Sequence, residues 1–159
     1  QFYFGIIWTN VMFPRNEPPA QTFCIDATNA VRRAYGYAGD AFRAQEDANS
    51  EHLVAVLAEF CVRRGSRVDV DVVFDGADRF VGNALPSNLR VRFARETCAD
   101  ELILDRVRAL RHGGHKVTVV TGDADLGACA REEGGRWLSI SSGAGVESWV
   151  KALGRGKKG

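Results

Sequence analysis

The chain lacks the features that mark membrane-spanning, disulfide-rich and zinc-binding proteins. Its apolar runs are too short to cross a bilayer, so no membrane partner is expected. Its four cysteines are widely spaced and form no C-x-x-C pair, which argues against a disulfide framework and a zinc site. We therefore expect buried thiols in a protein of the cytoplasm or another reducing compartment, at Cys24, Cys61, Cys98 and Cys129.

The chain also lacks a strong net charge, because 21 basic and 20 acidic residues leave a formal charge of +1. Any basic surface must therefore come from local clustering. The length of 159 residues suits one domain with its own core, expected over residues 22–154. Residues 1–21 are aromatic-rich and then punctuated by proline; we interpret them as a leader, an extra strand, a fragment of a longer protein or an added extension. Residues 155–159 form a basic tail.

One stretch organises the rest of the chain. Residues 117–121 form a short β-branched apolar run that predicts a buried strand, and Asp123 and Asp125 follow it directly. Two other apolar runs end in the same way, at Asp26 and at Asp75. If the strands are parallel, these acids converge at the carboxyl edge of the sheet, where open α/β sheets bind ligands. The simpler alternative for Asp123 is that it only N-caps the following helix.

Strands alternate with helices along the chain, which predicts a three-layer α/β/α fold with a central, mostly parallel sheet. The expected strands are residues 22–25, 68–74, 89–93, 116–121 and 136–140. Ser50 and Thr97 are the expected N-caps of two helices, and the last helix is expected over residues 142–153. In the third strand Arg90 and Arg92 alternate with apolar residues, so its outer face is expected to be basic.

The helix after Thr97 adds a further acid. Asp100 lies one turn before the apolar stripe of that helix, so it continues the inward face. A capping box formed by Thr97 and Asp100 is the simpler explanation. Together with the strand-end acids, however, Asp100 indicates a crowded carboxylate cluster whose like charges need a cation. Carboxylates without a His or Cys ligand set favour Mg²⁺ over zinc.

Four short motifs, in this order, resemble those of PIN-like nucleases of the NYN group. The motifs are Asp26-Ala-Thr-Asn29, Phe74-Asp75-Gly76, Thr97-Cys-Ala-Asp100-Glu101 and Thr121-Gly-Asp123-Ala-Asp125. The third is similar to an element of the YacP-like branch of that group, and the resemblance spans residues 22 to about 141.

The resemblance implies a PIN-like fold and a nuclease that depends on Mg²⁺ or Mn²⁺ and acts most often on RNA. By this resemblance, the core metal-site and catalytic acids would be Asp26, Asp100 and Asp123. Asn29 would orient Asp26 or the scissile phosphate. The supporting metal ligands would be Asp75, Glu101 and Asp125. The activity expected on this basis is endoribonucleolytic hydrolysis of phosphodiester bonds.

Basic residues border the expected acidic edge and favour a polyanionic substrate. The expected phosphate contacts are Arg32, Arg33, Arg79, Arg90, Arg92 and Arg95. Tyr35, Tyr37 and Phe80 would stack on unpaired bases, which favours single-stranded RNA. The alternative is a solvated face on which these arginines pair with surface acids.

Three other functions remain open at the level of sequence. The first is a catalytically weak RNA-binding member of the same fold that docks on the ribosome or another ribonucleoprotein. The second is a structure-specific DNA nuclease. The third is a phosphatase or phosphate-sensing α/β domain with Asp75 or Asp26 as nucleophile, although no D-x-D follows the first strand.

Overall fold

Five parallel strands form the central sheet of the computed structural model, which describes residues 19–36 and 43–155. The strands are β1 (Gln21–Asp26), β2 (Val68–Asp75), β3 (Leu89–Ala94), β4 (Val117–Thr121) and β5 (Arg136–Ser139). They lie in the order β3-β2-β1-β4-β5, and every neighbouring pair is parallel. The predicted α/β fold with a parallel central sheet is therefore confirmed.

Within the described ranges, five α-helices cover the two faces of the sheet. They are α1 (Ala27–Tyr35), α2 (Arg43–Arg64), α3 (Ala99–His112), α4 (Ala124–Glu132) and α5 (Val146–Leu153). Helices α1, α2 and α5 pack on one face around a core that includes Leu57 and Phe74. Helices α3 and α4 pack on the other face around Ile103 and Val119. None of the helices in the described part is long and apolar enough to cross a membrane.

The register of the sheet brings its strand-end acids to one edge. Asp26, the last residue of β1, pairs with Val73 of β2, so Asp75 lies just beyond it at the end of the neighbouring strand. On the other side of β1, Ile25 pairs with Val120, so that β4 also ends beside Asp26. Because all strands run in one direction, their carboxyl ends share this edge with the beginnings of α3 and α4.

Helix α2 begins earlier than the sequence pattern predicts. It starts at Arg43, and Ser50 lies inside it, buried, with its hydroxyl donating to the carbonyl oxygen of Glu46 at 2.9 Å. The prediction of Ser50 as an N-cap is therefore wrong, because its side chain bonds to the preceding helical turn instead of opening the helix. Residues 37–42, which precede this helix, lie outside the described residues.

Helix α3 is not capped by Thr97 as predicted. It begins at Ala99, and Cys98 occupies the N-cap position without a side-chain hydrogen bond. The backbone N–H of Ala99 instead donates to Oδ1 of Asp75 at 2.9 Å. The helix is thus capped from the neighbouring strand, a long-range contact that no local motif encodes. Helix α5 also starts later than predicted, at Val146.

Only two of the four cysteines are buried. Cys24 and Cys61 lie in the interior, whereas Cys98 and Cys129 are exposed, so the prediction of four buried thiols is wrong for the second pair. Burial raises the pKa of both interior thiols to about 12, which keeps them protonated at neutral pH.

Candidate functional site

The carboxyl edge of the sheet gathers four aspartates, which we call the acid cluster. Asp26 and Asp75 end neighbouring strands, Asp123 directly precedes α4, and Asp100 lies in the first turn of α3. Burial raises the pKa of Asp26, and the charges of Asp100 and Asp75 raise it further. Burial also raises the pKa of Asp100, with added repulsion from Asp123 and Asp75. The four carboxylates therefore share one electrostatic environment.

Asp26 is the most enclosed member of the cluster, with 4% of its surface exposed. Burial is the main reason that its pKa rises from 3.8 to about 6. A hydrogen bond from the Thr121 hydroxyl and one from the backbone of Asn29 act in the opposite direction. Near neutral pH this carboxylate has little compensating charge, so a nearby cation would be strongly favoured.

Thr121 links two members of the acid cluster. Its fully buried hydroxyl donates to Oδ2 of Asp26 at 2.7 Å and accepts the backbone N–H of Asp123 at 3.1 Å. Because the single hydroxyl proton points to Asp26, Thr121 stabilises the ionised form of that carboxyl. Thr121 belongs to one of the sequence motifs but has no predicted role there. Its position at the end of β4, two residues before Asp123, is the feature of the sequence that indicates a role.

Asn29 and Arg33, one turn apart on α1, together hold the turn that follows β4. The backbone N–H of Gly122 donates to Oδ1 of Asn29 at 2.8 Å, and Nη2 of Arg33 donates to the Gly122 carbonyl oxygen at 2.9 Å. A Cβ atom at position 122 would lie 2.4 Å from Nε of Arg33 and 2.6 Å from the carbonyl oxygen of Ile140, so only glycine fits. Arg33 therefore holds the backbone before Asp123, and its role as a phosphate contact stays a prediction.

Two members of the acid cluster also cap helices. Oδ1 of Asp123 accepts the backbone N–H groups of Asp125 and Leu126, at 2.9 and 3.3 Å. Oδ1 of Asp75 caps α3, and the Asp75 N–H donates to the hydroxyl of Thr28 at 3.0 Å. No described residue donates a hydrogen bond to Oδ2 of either aspartate. The caps therefore fix both carboxylates while leaving one oxygen of each for a cation.

The predicted supporting acids Glu101 and Asp125 differ from the four cluster members. Both are exposed, as Asp75 is, but neither is among the charges that raise the pKa of Asp26 or of Asp100. Across residues 19–36 and 43–155, no three His, Cys, Asp or Glu side chains are close enough to hold one ion by themselves. Mg²⁺ commonly binds through one or two carboxylates and retains several waters, so the oxygen donors of the acid cluster still suit Mg²⁺ or Mn²⁺.

Arg90 pairs with the buried Asp71 and does not lie at the acidic edge. Its Nε donates to Oδ1 of Asp71 at 2.7 Å, and Nε of Arg106 on α3 donates to Oδ2 at 2.8 Å. Asp71 is 1% exposed, so it needs both cations. Arg90 also lies near the beginning of β3, whereas the acid cluster is at the opposite end of the strands. Its charge therefore neutralises Asp71, and its role as a phosphate contact stays a prediction.

The remaining predicted phosphate contacts lie on the surface near the carboxyl edge. Arg95 forms a bidentate ion pair with Asp78, and Arg92 is exposed on β3. Arg32 lies 3.7 Å from Glu46, and Arg79 packs over the rings of two phenylalanines in the sheet. Two of the predicted stacking residues, Tyr35 and Phe80, are 43% and 59% exposed, and Tyr37 lies outside the described residues.

A known structure shares the fold of this chain, and a known family shares its sequence pattern. The fold is similar to the crystal structure of Rae1 (YacP) from Bacillus subtilis, determined as a W164L mutant, with a TM-score of 0.60 and 21% sequence identity. The match covers 84% of this chain and 76% of that one. Among curated proteins, none matches the sequence. The family model of the YacP-like NYN domain matches residues 24–143, which include all four members of the acid cluster. The chain therefore belongs to the YacP-like NYN family and is a nuclease-type domain.

Proposed function

We propose that this domain is a divalent-metal-dependent endoribonuclease that hydrolyses phosphodiester bonds of single-stranded RNA. The observation that carries the proposal is the acid cluster, where burial and neighbouring charges raise the pKa values of Asp26 and Asp100. Four aspartates in one electrostatic environment oppose folding unless a counter-charge binds among them. Membership of a nuclease-type family makes a catalytic ion the simplest such counter-charge.

The residues that would hold Mg²⁺ or Mn²⁺ are the members of the acid cluster. Asp26 and Asp100 would contribute carboxylates whose pKa values are already raised, and Asp75 and Asp123 the oxygens that their helix caps leave free. Such an ion, when bound, supplies an activated water and stabilises charge on the phosphate that is cleaved. Glu101 and Asp125 are left out of the proposed ligand set because neither charge raises the pKa of Asp26 or of Asp100.

Other residues of the chain would fix the cluster's geometry. Thr121 holds Asp26 as a hydrogen-bond acceptor, and Asn29 holds the Gly122 turn that places Asp123. The cap that Asp75 provides fixes the beginning of α3, and therefore the position of Asp100 one residue later. Thr121 and Asn29 are thus positioning residues, whose loss should reduce the cleavage rate more than it reduces RNA binding.

The surface around the cluster supports RNA as the substrate. Arg32, Arg79 and Arg92 supply positive charge beside the acidic edge, which favours a polyanion without selecting a sequence. Phe80, in the loop after β2, is a large, exposed aromatic residue beside that edge, whereas Tyr35 ends α1 away from it and packs against His52. Aromatic faces stack on bases that are not already paired, so single strands are favoured over duplexes.

A second candidate function is an RNA-binding module with little activity that docks on a ribonucleoprotein such as the ribosome. The observation that favours it is the absence, among the described residues, of any three ligating side chains arranged around one point. In this alternative the helix caps made by Asp75 and Asp123 would be the main role of those acids.

The test is cleavage of internally labelled single-stranded RNA, the matching DNA and duplex RNA, each with Mg²⁺, Mn²⁺ or EDTA. We expect internal cleavage of the single-stranded RNA with metal alone, and loss of that activity in Asp123→Asn, which retains the cap because Asn caps as well as Asp. Equal cleavage of DNA would favour a DNA nuclease. Tight RNA binding without metal-dependent cleavage would favour the binding module.

A further inference from the structure

A cleft of about 420 Å³ lies directly beside the acid cluster. It is enclosed by α1, the first turns of α2 and the loop after β2, and its lining includes Thr28, Arg32, Arg43, Glu46, Asp75 and Arg79. Asp75 belongs both to this cleft and to the acid cluster. A chain molecule that reaches the acid cluster would therefore place its next unit in or near the cleft. The volume is within the range of sites that bind small organic groups.

Arg79 forms a preorganised floor for such a group. Its guanidinium carbon lies 4.9 Å from the ring centre of Phe74 and 5.2 Å from that of Phe93, and the two rings stack with centres 5.5 Å apart. Nη1 of Arg79 donates to the carbonyl oxygens of Asp75 and Ala77, at 3.1 and 3.3 Å. The side chain is held in place before any ligand arrives, while 27% of it remains exposed.

The other walls of the cleft suit a charged, hydrogen-bonding ligand. Arg32 and Arg43 add two cations, while Glu46, Asp47 and Asp78 add carboxylates, and Oδ1 of Asp47 lies 3.7 Å from Nε of Arg79. The hydroxyl of Thr28 accepts the N–H of Asp75, and within the described part of the chain no group accepts the proton of that hydroxyl. A planar cation with two further cations matches an aromatic base attached to a phosphate.

We propose that this cleft binds the nucleotide next to the bond that is cleaved, with its base stacked on Arg79 and its phosphate facing Arg32 and Arg43. The inference rests on the proposed function, because it assigns the cleft to the same RNA strand that crosses the acid cluster. It goes further in naming one nucleotide position at which a base, rather than only a phosphate, contributes to binding.

The test is a series of single-stranded RNA oligonucleotides, each with one abasic nucleotide at a different position around the cleaved bond. Binding is measured in EDTA, where cleavage does not interfere. For the parent, the abasic change at one position within two nucleotides of the bond should weaken binding about tenfold, the loss typical of one stacked base. Arg79→Lys keeps the charge but removes the planar group, so it should bind the unmodified RNA about tenfold more weakly and respond little to the abasic change.

Two further variants keep the result interpretable. Arg131→Lys is the matched control, because Arg131 lies 5.3 Å from the ring centre of Trp137, away from the cleft, and this change should leave the abasic pattern intact. Arg43→Gln tests the opposite wall if Arg79→Lys lowers the melting temperature; it should weaken binding of every oligonucleotide and preserve the abasic pattern.

The outcomes separate this inference from the proposed function. A parent that cleaves RNA but responds equally to abasic changes at all positions, or an Arg79→Lys variant with the parent's pattern, would overturn the cleft assignment alone. A cleft that binds a 5′-mononucleotide as tightly as the oligonucleotide would be a site for a free ligand and would also overturn it. A parent that neither binds nor cleaves RNA would overturn both.

Discussion

The hydroxyl of Thr121 donates a hydrogen bond of 2.7 Å to the buried carboxylate of Asp26. The two residues end neighbouring strands, and 95 positions of sequence separate them. Because the same hydroxyl accepts the backbone N–H of Asp123, one side chain controls both the ionisation of Asp26 and the turn that carries Asp123. The acid cluster therefore behaves as a connected unit, and changes at its periphery should alter its titration.

Thr121→Val should move the pH dependence of metal binding upwards. The hydrogen bond from Thr121 lowers the pKa of Asp26, so its loss raises that pKa, and Asp26 then ionises at a higher pH. The variant should also lose about 1–3 kcal/mol of stability, because the buried carboxylate of Asp26 loses a donor and the part-buried N–H of Asp123 loses its acceptor. Mn²⁺ affinity between pH 5.5 and 8 and urea unfolding measure the two effects. Thr121→Ser, which keeps the hydroxyl, should resemble the parent; a valine variant with an unchanged pH profile would contradict the assigned bond.

Asp26 should make the metal-free protein less stable as the pH rises. Its pKa is about 6 in the folded protein and close to 3.8 in the unfolded chain, so the folded state binds the proton more tightly. Protonation of Asp26 therefore favours folding. The loss of stability that its ionisation causes is absent below about pH 4, grows between about pH 4 and 6 and is complete above that range. A difference of about two pH units corresponds to at most about 3 kcal/mol.

Asp26→Asn isolates this effect, because it removes the ionisation and keeps an oxygen for the Thr121 hydroxyl. In EDTA, the unfolding free energy of the variant relative to the parent should increase by about 1–3 kcal/mol between pH 4 and pH 7. Guanidinium unfolding at several pH values gives the comparison. A difference between the two proteins that stays constant over this range would show that Asp26 titrates normally.

Gly122→Ala should destabilise the fold by about 1–3 kcal/mol, because the added methyl group overlaps the Ile140 carbonyl oxygen and the Arg33 guanidinium. Cleavage should fall as well, since the displaced turn leads directly to Asp123. Gly154→Ala is the control; the nearest atom to its new methyl is at 3.5 Å, an ordinary contact, and the expected change is under about 0.5 kcal/mol. Thermal unfolding of both variants tests this, and equal melting temperatures would contradict the predicted clash.

Arg90→Gln should lower stability, whereas Arg92→Gln should weaken RNA binding, although the two residues share one face of β3. Arg90→Gln leaves the buried Asp71 with Arg106 as its only described cation, and should cost about 1–2 kcal/mol after allowance for the 44% exposure of Arg90. Arg92→Gln should leave stability unchanged, weaken RNA binding and reduce the salt dependence by about one phosphate contact. Urea unfolding and binding at several salt concentrations measure these effects. An RNA-binding defect confined to Arg90→Gln would reverse the assignment.

The sequence predicts the parts of the site that depend on local pattern. Apolar runs ending at Asp26, Asp75 and Thr121 indicate parallel strands with acids at one edge, and the structure places those strand ends together. The apolar stripe of α3 likewise predicts that Asp100 continues its inward face. These inferences succeed because each depends on residues only a few positions apart.

The partners of these residues are not predictable in the same way. Asp71, like Asp69, alternates with valines in β2, and Arg106, which neutralises Asp71, is 35 positions further along the chain. The cap on α3 similarly comes from Asp75, whereas the local pattern favours Thr97. Such pairings depend on how the strands and helices pack. The sequence alone therefore predicts the positions of the acids but not their hydrogen-bond and ion-pair partners.

The most direct test of the metal-site proposal is calorimetric titration of the parent with Mn²⁺ at pH 7, compared with Asp26→Asn and Asp123→Asn. We expect the parent to bind Mn²⁺ and each variant to bind it at least about tenfold more weakly, because each loses a carboxylate of the acid cluster. Arg131→Lys, away from the cluster, should bind like the parent. No Mn²⁺ binding by the parent, or equal affinity in all four proteins, would contradict the proposed metal site.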